Sequence, residues 1–157
     1  MGEAIAGELA RDERLEAHYH DDFDEMAGLV DILSLHTPLT RDTHHILSRA
    51  RIGRMKPEAF VVNVSRPELI EEAALIDAIA TGHLSGAALD VFDNAGGIDP
   101  RLLELARAHK VVLTPHMASA TLEARLEMGD TVIVNIRAFV DGHQPPHRVL
   151  PETRARA

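Results

Sequence analysis

Three side chains in this 157-residue sequence have the chemistry for handling a small acid: Arg66, Asp90 and His116. An arginine presents a planar fork of donors that grips a carboxylate in two-pronged fashion. An imidazole gives or takes a proton near neutral pH. Together they suit proton-coupled reduction of a 2-keto acid. Read alone, Arg66 is more often a solvated loop arginine than a substrate clamp, and His116 after its proline is by default a loop histidine. Asp90 sits inside an apolar run, where a carboxylate is costly unless partnered. It is either part of a site or an internal cap on backbone N–H groups.

The elements that must position these residues follow from local patterns. Residues 29–35, 59–64, 86–92 and 111–114 are short apolar or branched runs, which predict four buried strands. Turn signals bound them: His36-Thr37-Pro38, Lys56-Pro57, Asp93 to Gly97, and Pro115. Between them lie helical patterns. Residues 21–29 carry acids in a first turn. Ile70, Leu75, Ile76 and Ile79 form one stripe ending before Gly82, and Asp99-Pro100 is an N-cap followed by a first-turn proline. The longest helix is predicted over about 120–141, with apolar residues at three- and four-residue steps and Gly142 beyond it. That stripe reads as core or as an interface, since it exceeds what a small domain easily covers. Residues 1–17 read as a helix or loose arm, 18–151 as the folded domain, and 152–157 as a frayed tail.

Strands alternating with helices imply a parallel α/β sheet covered on both faces, with ligands at the carboxyl ends of the strands. Arg66, Asp90 and His116 all fall at such ends. The length is one domain's worth. A net charge of -9 excludes general nucleic-acid binding. The absence of cysteine excludes disulfides and thiolate chemistry. No apolar run reaches membrane-spanning length, and no signal peptide is visible, so a soluble cytoplasmic domain is expected. Ten histidines include the pairs His18/His20 and His44/His45, but no third ligand has metal-site spacing, and no metal is expected.

Four ordered motifs then become recognisable: SerLeuHisThrProLeuThr (34–40), ValAsnValSerArg (62–66), GlyAlaAlaLeuAspValPhe (86–92) and ProHisMetAlaSerAlaThr (115–121). Over roughly residues 18–151 the chain resembles the D-isomer-specific 2-hydroxyacid dehydrogenases, most closely their glyoxylate/hydroxypyruvate reductase branch. The resemblance implies a partial Rossmann-type, doubly wound parallel sheet, namely the second half of a nucleotide-binding domain, with a long C-terminal helix. It implies NAD or NADP as cofactor and a small 2-keto or 2-hydroxy acid as substrate. By the same resemblance Arg66 holds the substrate carboxylate, and His116 is the acid/base at the keto oxygen. Asp90 bonds the nicotinamide amide. Val64, Ser65, Ala118 and Ser119 line the nicotinamide, and His36 and Pro38 lie near the cofactor's phosphates and ribose.

The chain also departs from the family pattern. It contains no G-x-G-x-x-G to receive a pyrophosphate at a helix N-terminus. The expectation is that the first mononucleotide half and the substrate domain are missing. Ala95 stands where the family has a glutamate that orients the imidazole, leaving His116 without that partner. Asp93 or Asp99 would have to replace it. Pro67 and Ala118 occupy positions where the family has glycine. The expected activity is therefore weak or absent for this chain alone, with a homodimer or a complementing chain as partner. The alternative is a non-catalytic relative acting as a dimerisation or binding module.

Overall fold

Branched residues whose neighbours alternate between water and core favour extended chain, and here they build one sheet. The computed structural model describes residues 18–93 and 96–148. Its elements run α1 (Phe23–Ala27), β1 (Ile32–Leu35), α2 (Arg49–Ile52), β2 (Phe60–Asn63), a 3₁₀ turn (Pro67–Leu69), α3 (Glu72–Ala80), β3 (Gly86–Leu89), α4 (Pro100–Arg107), β4 (Val111–Leu113) and α5 (Leu122–Val140). They fall into two compact units, one ending at Pro115 and one beginning at His116.

The first unit holds a four-stranded parallel sheet in the order β1-β2-β3-β4. Each crossover steps the same way across the sheet. Right-handed connections taken in one direction all land on one face. Accordingly Leu33, Leu35, Val61, Leu89 and Val111 are buried in one core with Leu75, Ile76 and Ile79 of α3 and Leu102 of α4. The expectation of cover on both faces is corrected here. The opposite face carries Ile32 and Val112, each 62% exposed, and the half-exposed Phe60. None of the helices between the strands crosses back to cover it.

Helix boundaries follow local chemistry. Asp22 caps α1 by accepting from Asp24 N at 2.8 Å. Asp99 caps α4, with Pro100 in its first turn. Thr121 caps α5 by accepting from Ala124 N. The run 86–92 leaves the ladder after Leu89 because its neighbour β2 ends in register at Asn63. The short α2 has no periodic signature. It is held from outside, by Arg51 pairing with Asp24 at 2.6 Å and by Arg49 N donating to Glu71 Oε2 at 2.8 Å. The expected arm 1–17 and tail 152–157 lie outside the described residues.

Gly86 shows how tightly β3 and β4 meet. A Cβ there would collide with the Lys110 carbonyl oxygen and touch the Phe60 ring. Gly86→Ala should therefore lower stability by about 1–3 kcal/mol in urea unfolding. Gly129→Ala, on α5 with nothing near an added Cβ, should gain about 0.5–1 kcal/mol of helix propensity. Equal stability of the two variants would contradict the register of β3 and β4.

Candidate functional site

The register Leu35, Asn63, Leu89, Leu113 ends all four strands along one line. One residue further on stand His36, Val64, Asp90 and Thr114. The last two still donate backbone N–H groups into the sheet, Asp90 N to Asn63 O at 2.9 Å and Thr114 N to Leu89 O at 3.0 Å. Asp90 is 5% exposed. The Thr114 hydroxyl donates to its Oδ1 at 2.5 Å, supplying part of the partnering that a buried carboxylate needs. His36 is exposed and shares a 2.8 Å hydrogen bond with Ser34 through Nε2. Pro38 lies beyond it in the same loop, also exposed, and its carbonyl accepts from the Thr43 hydroxyl at 2.7 Å.

Arg66 is presented by a turn built around Asn63, the one fully buried amide side chain among the described residues. Asn63 Oδ1 accepts from Ser65 N at 3.0 Å, and its Nδ2 donates to Arg66 O at 2.8 Å. The Ser65 hydroxyl donates to Leu35 O at 2.9 Å, tying the turn to β1. Arg66 itself is extended (φ -141°, ψ 142°), as a residue before proline must be. Pro67 then opens the 3₁₀ turn, where its missing N–H costs nothing. Downstream, His45 N and Leu47 N donate to Glu68 O and Leu69 O, so the turn is anchored on both sides. The exposed guanidinium donates to its own neighbour, Ser65 O, at 2.7 Å and forms no ion pair among the described residues.

A cleft of about 950 Å³ opens beyond Pro67, between the start of α3 and the 92–100 loop. None of the residues predicted for the site lines it. Its walls include Glu68, Glu71, Glu72, Asp93 and Asp99, which would repel a carboxylate. Burial pushes the Glu72 carboxyl above its ordinary range, and Asp93 and Asp99 push the same way, against the bond it accepts from Asp93 N at 2.9 Å. The Arg101 guanidinium, 2.8 Å away, holds the Asp99 carboxyl below the usual carboxylate range. Asp99 is thus engaged as a helix cap and an ion-pair partner. Ala95 lies outside the described residues.

The second unit begins with His116, exposed, with a left-handed backbone (φ 53°). Few residues other than glycine adopt this region, histidine being among the more tolerant. A turn follows, in which Ala120 N donates to Met117 O at 2.8 Å and the exposed Ala118 and Ser119 form the bend. Thr121 then starts α5. Asn63 and Thr114 are the supporting residues that pattern reading missed. A buried amide in a strand end followed by Ser-Arg-Pro was the available signal for the first; nothing marked the second. Among the described residues no group of three His, Asp or Glu side chains is placed to hold a metal ion. His44 and His45 stack on each other with ring centres 4.0 Å apart.

With this geometry in hand, comparison with known proteins is informative. The family model described as D-isomer specific 2-hydroxyacid dehydrogenase, NAD binding domain, matches residues 5–118. A glyoxylate reductase of Thermococcus litoralis is 39% identical over 138 residues, covering 88% of this chain and 40% of that protein. The NADPH-dependent glyoxylate/hydroxypyruvate reductase of Sinorhizobium meliloti, solved with NADP and malonate, superposes with a TM-score of 0.68 at 34% identity, covering 82% of this chain and 39% of that one. The NAD-complexed D-isomer specific 2-hydroxyacid dehydrogenase of Lactobacillus delbrueckii ssp. bulgaricus gives a TM-score of 0.71 at 30% identity, over 83% and 43%. The chain spans about two fifths of the length of these proteins.

Two substitutions test the local physics. Asn63→Ala removes the partner of a part-buried N–H and a part-buried carbonyl, and should cost about 1–3 kcal/mol in urea unfolding; Asn63→Asp keeps only the acceptor and should not restore the loss. Glu72 works in the opposite sense. Its folded-state pKa is raised, so the folded chain binds the proton more readily and stability falls as pH rises from about 4.5 through the raised value. Glu72→Gln should therefore melt at or above the parent temperature at pH 7. The gap should close below about pH 3.5, well under both pKa values, where the parent side chain is neutral in both states. A variant melting lower at pH 7 would contradict the burial of that carboxylate.

Proposed function

Because this chain belongs to the D-isomer-specific 2-hydroxyacid dehydrogenase family, we propose that it carries the nicotinamide- and substrate-facing part of an NAD(P)-dependent reductase of small 2-keto acids. Glyoxylate and hydroxypyruvate are the substrates the reading names first. The observation that carries it is Arg66: an exposed guanidinium with no acid partner among the described residues, on a turn braced by buried Asn63 at the carboxyl edge of a parallel sheet. Such a group is costly to brace for surface solvation alone and well suited to a two-pronged carboxylate contact.

The residues fit the nicotinamide end of the cofactor. Asp90 offers a buried carboxylate as acceptor for the ring amide, and Val64 and Ser65 offer a half-buried, mixed surface beside it. His36 and Pro38 are exposed on the neighbouring loop for the ribose and phosphates. Ala118 and Ser119, in the turn after His116, complete the set we assign to the cofactor. Reduced NAD or NADP, when bound, supplies the hydride. Arg66 holds and orients the substrate carboxylate, and His116 gives a proton to the carbonyl oxygen as that oxygen gains charge. These 157 residues contain no G-x-G-x-x-G, so this stretch itself offers no such cradle of backbone N–H groups for a pyrophosphate. A cytoplasmic site of action accords with this chemistry.

Ala95, in the place where the family pattern has a glutamate, favours a second reading, a non-catalytic binding module. One experiment separates them. The purified chain is mixed with NADH or NADPH, and nicotinamide fluorescence and the loss of reduced-nicotinamide absorbance on adding glyoxylate or hydroxypyruvate are followed. The reductase reading expects weak binding and slow turnover. Arg66→Ala should lower kcat/KM by roughly a hundredfold or more, with Arg66→Lys in between. Turnover indifferent to both Arg66→Ala and His116→Ala overturns it. Binding without turnover selects the module.

A further inference from the structure

We propose that Thr114 is a positioning residue for the nicotinamide amide, acting through the carboxylate of Asp90. The inference rests on the cofactor placement of the reductase reading and deepens it by naming what orients the amide's acceptor. Register brings the two residues together. β3 and β4 pair Ala88 with Val112, and two residues further along the same register Asp90 stands opposite Thr114. Both backbones are still held there, Asp90 N donating to Asn63 O at 2.9 Å and Thr114 N to Leu89 O at 3.0 Å. Thr114 precedes Pro115, which favours extended backbone, and its branched Cβ leaves χ1 little freedom. The hydroxyl is therefore aimed by the strand itself, and it meets Asp90 Oδ1 at 2.5 Å. That is the short end of the range for a hydroxyl on a carboxylate, the stronger class of hydrogen bond.

The strand has no need of this hydroxyl for its own sake. Val111, Val112 and Leu113 before it are apolar, and valine has the outline of threonine without the donor. What the hydroxyl adds is a fixed direction for a carboxylate that is 5% exposed. An ionised carboxylate only accepts, at about four lone-pair positions. Thr114 takes one on Oδ1 and so sets the plane of the group, and the other acceptor directions are set with it. A primary amide carries N–H donors that such an acceptor recognises, whereas a ketone of similar size carries none. A carboxylate free to swivel recognises the amide less well, because binding must then order it first. Thr114 thus sharpens the choice of an amide-bearing ring through Asp90.

The test uses the full 157-residue chain and two ligands. One is the reduced dinucleotide it binds more tightly, NADH or NADPH; the other is the same dinucleotide with an acetyl group in place of the carboxamide. Affinities are measured by equilibrium dialysis with absorbance detection, so no turnover is required. The parent should prefer the carboxamide form roughly tenfold. Thr114→Val should weaken that form about five- to tenfold and leave the acetyl form within about twofold, so that the preference collapses. Thr114→Ser, which keeps the hydroxyl, should keep most of it. A role confined to stabilising the fold predicts instead an equal loss for both ligands, or none. Circular dichroism and melting check the fold of each variant. If Thr114→Val does not fold, Thr114→Ala set against Thr114→Ser gives the same comparison. A parent without the preference, a preference that survives loss of the hydroxyl, or equal weakening of both ligands overturns the proposal and leaves the reductase reading standing. A parent that binds neither ligand even at about 1 mM overturns both.

Discussion

The common register of four parallel strands is the constraint on which the first unit turns. Parallel pairing allows no hairpins, so every strand must be reached by a crossover. With all strands pointing one way, the polar groups that cannot continue a ladder emerge together at one edge. Leu35, Asn63, Leu89 and Leu113 set that edge. A slip of one residue on β2 would turn Val61 outward and Phe60 inward. It would also take Asn63 from the turn it braces and Arg66 from the edge.

Electrostatics divides the same region into two territories. The net charge of -9 is not spread evenly. Several acids gather around the cleft between α3 and the 92–100 loop, where mutual repulsion and burial act on Glu72. The turn carrying Arg66 stands apart from that lining, with buried Asp90 held by Thr114. The acidic lining disfavours an anionic ligand in that cleft.

Much of this arrangement could be read from residue order, and what could not has physical reasons. Strand cores, the Asp99-Pro100 start and the long helix were legible because each rests on local chemistry, periodicity or capping. The four motifs made the family recognisable, and the matched region and solved relatives agree with it. The helix Arg49–Ile52 was not legible, because contacts from α1 and Glu71 hold it rather than its own pattern. Likewise the bond from Thr114 to Asp90 joins residues 24 positions apart. The exposed sheet face was misjudged for a topological reason: covering both faces requires the crossovers to reverse direction, and here they never do.

That bare face also shapes how the chain responds to temperature. The heat capacity gained on unfolding comes chiefly from apolar surface newly placed in water. Ile32, Phe60 and Val112 are substantially wetted before unfolding begins. They add little to that increment, so the curve of stability against temperature should be flatter than for a two-sided sheet of equal length. Cooling and warming would then each erode the fold more gently.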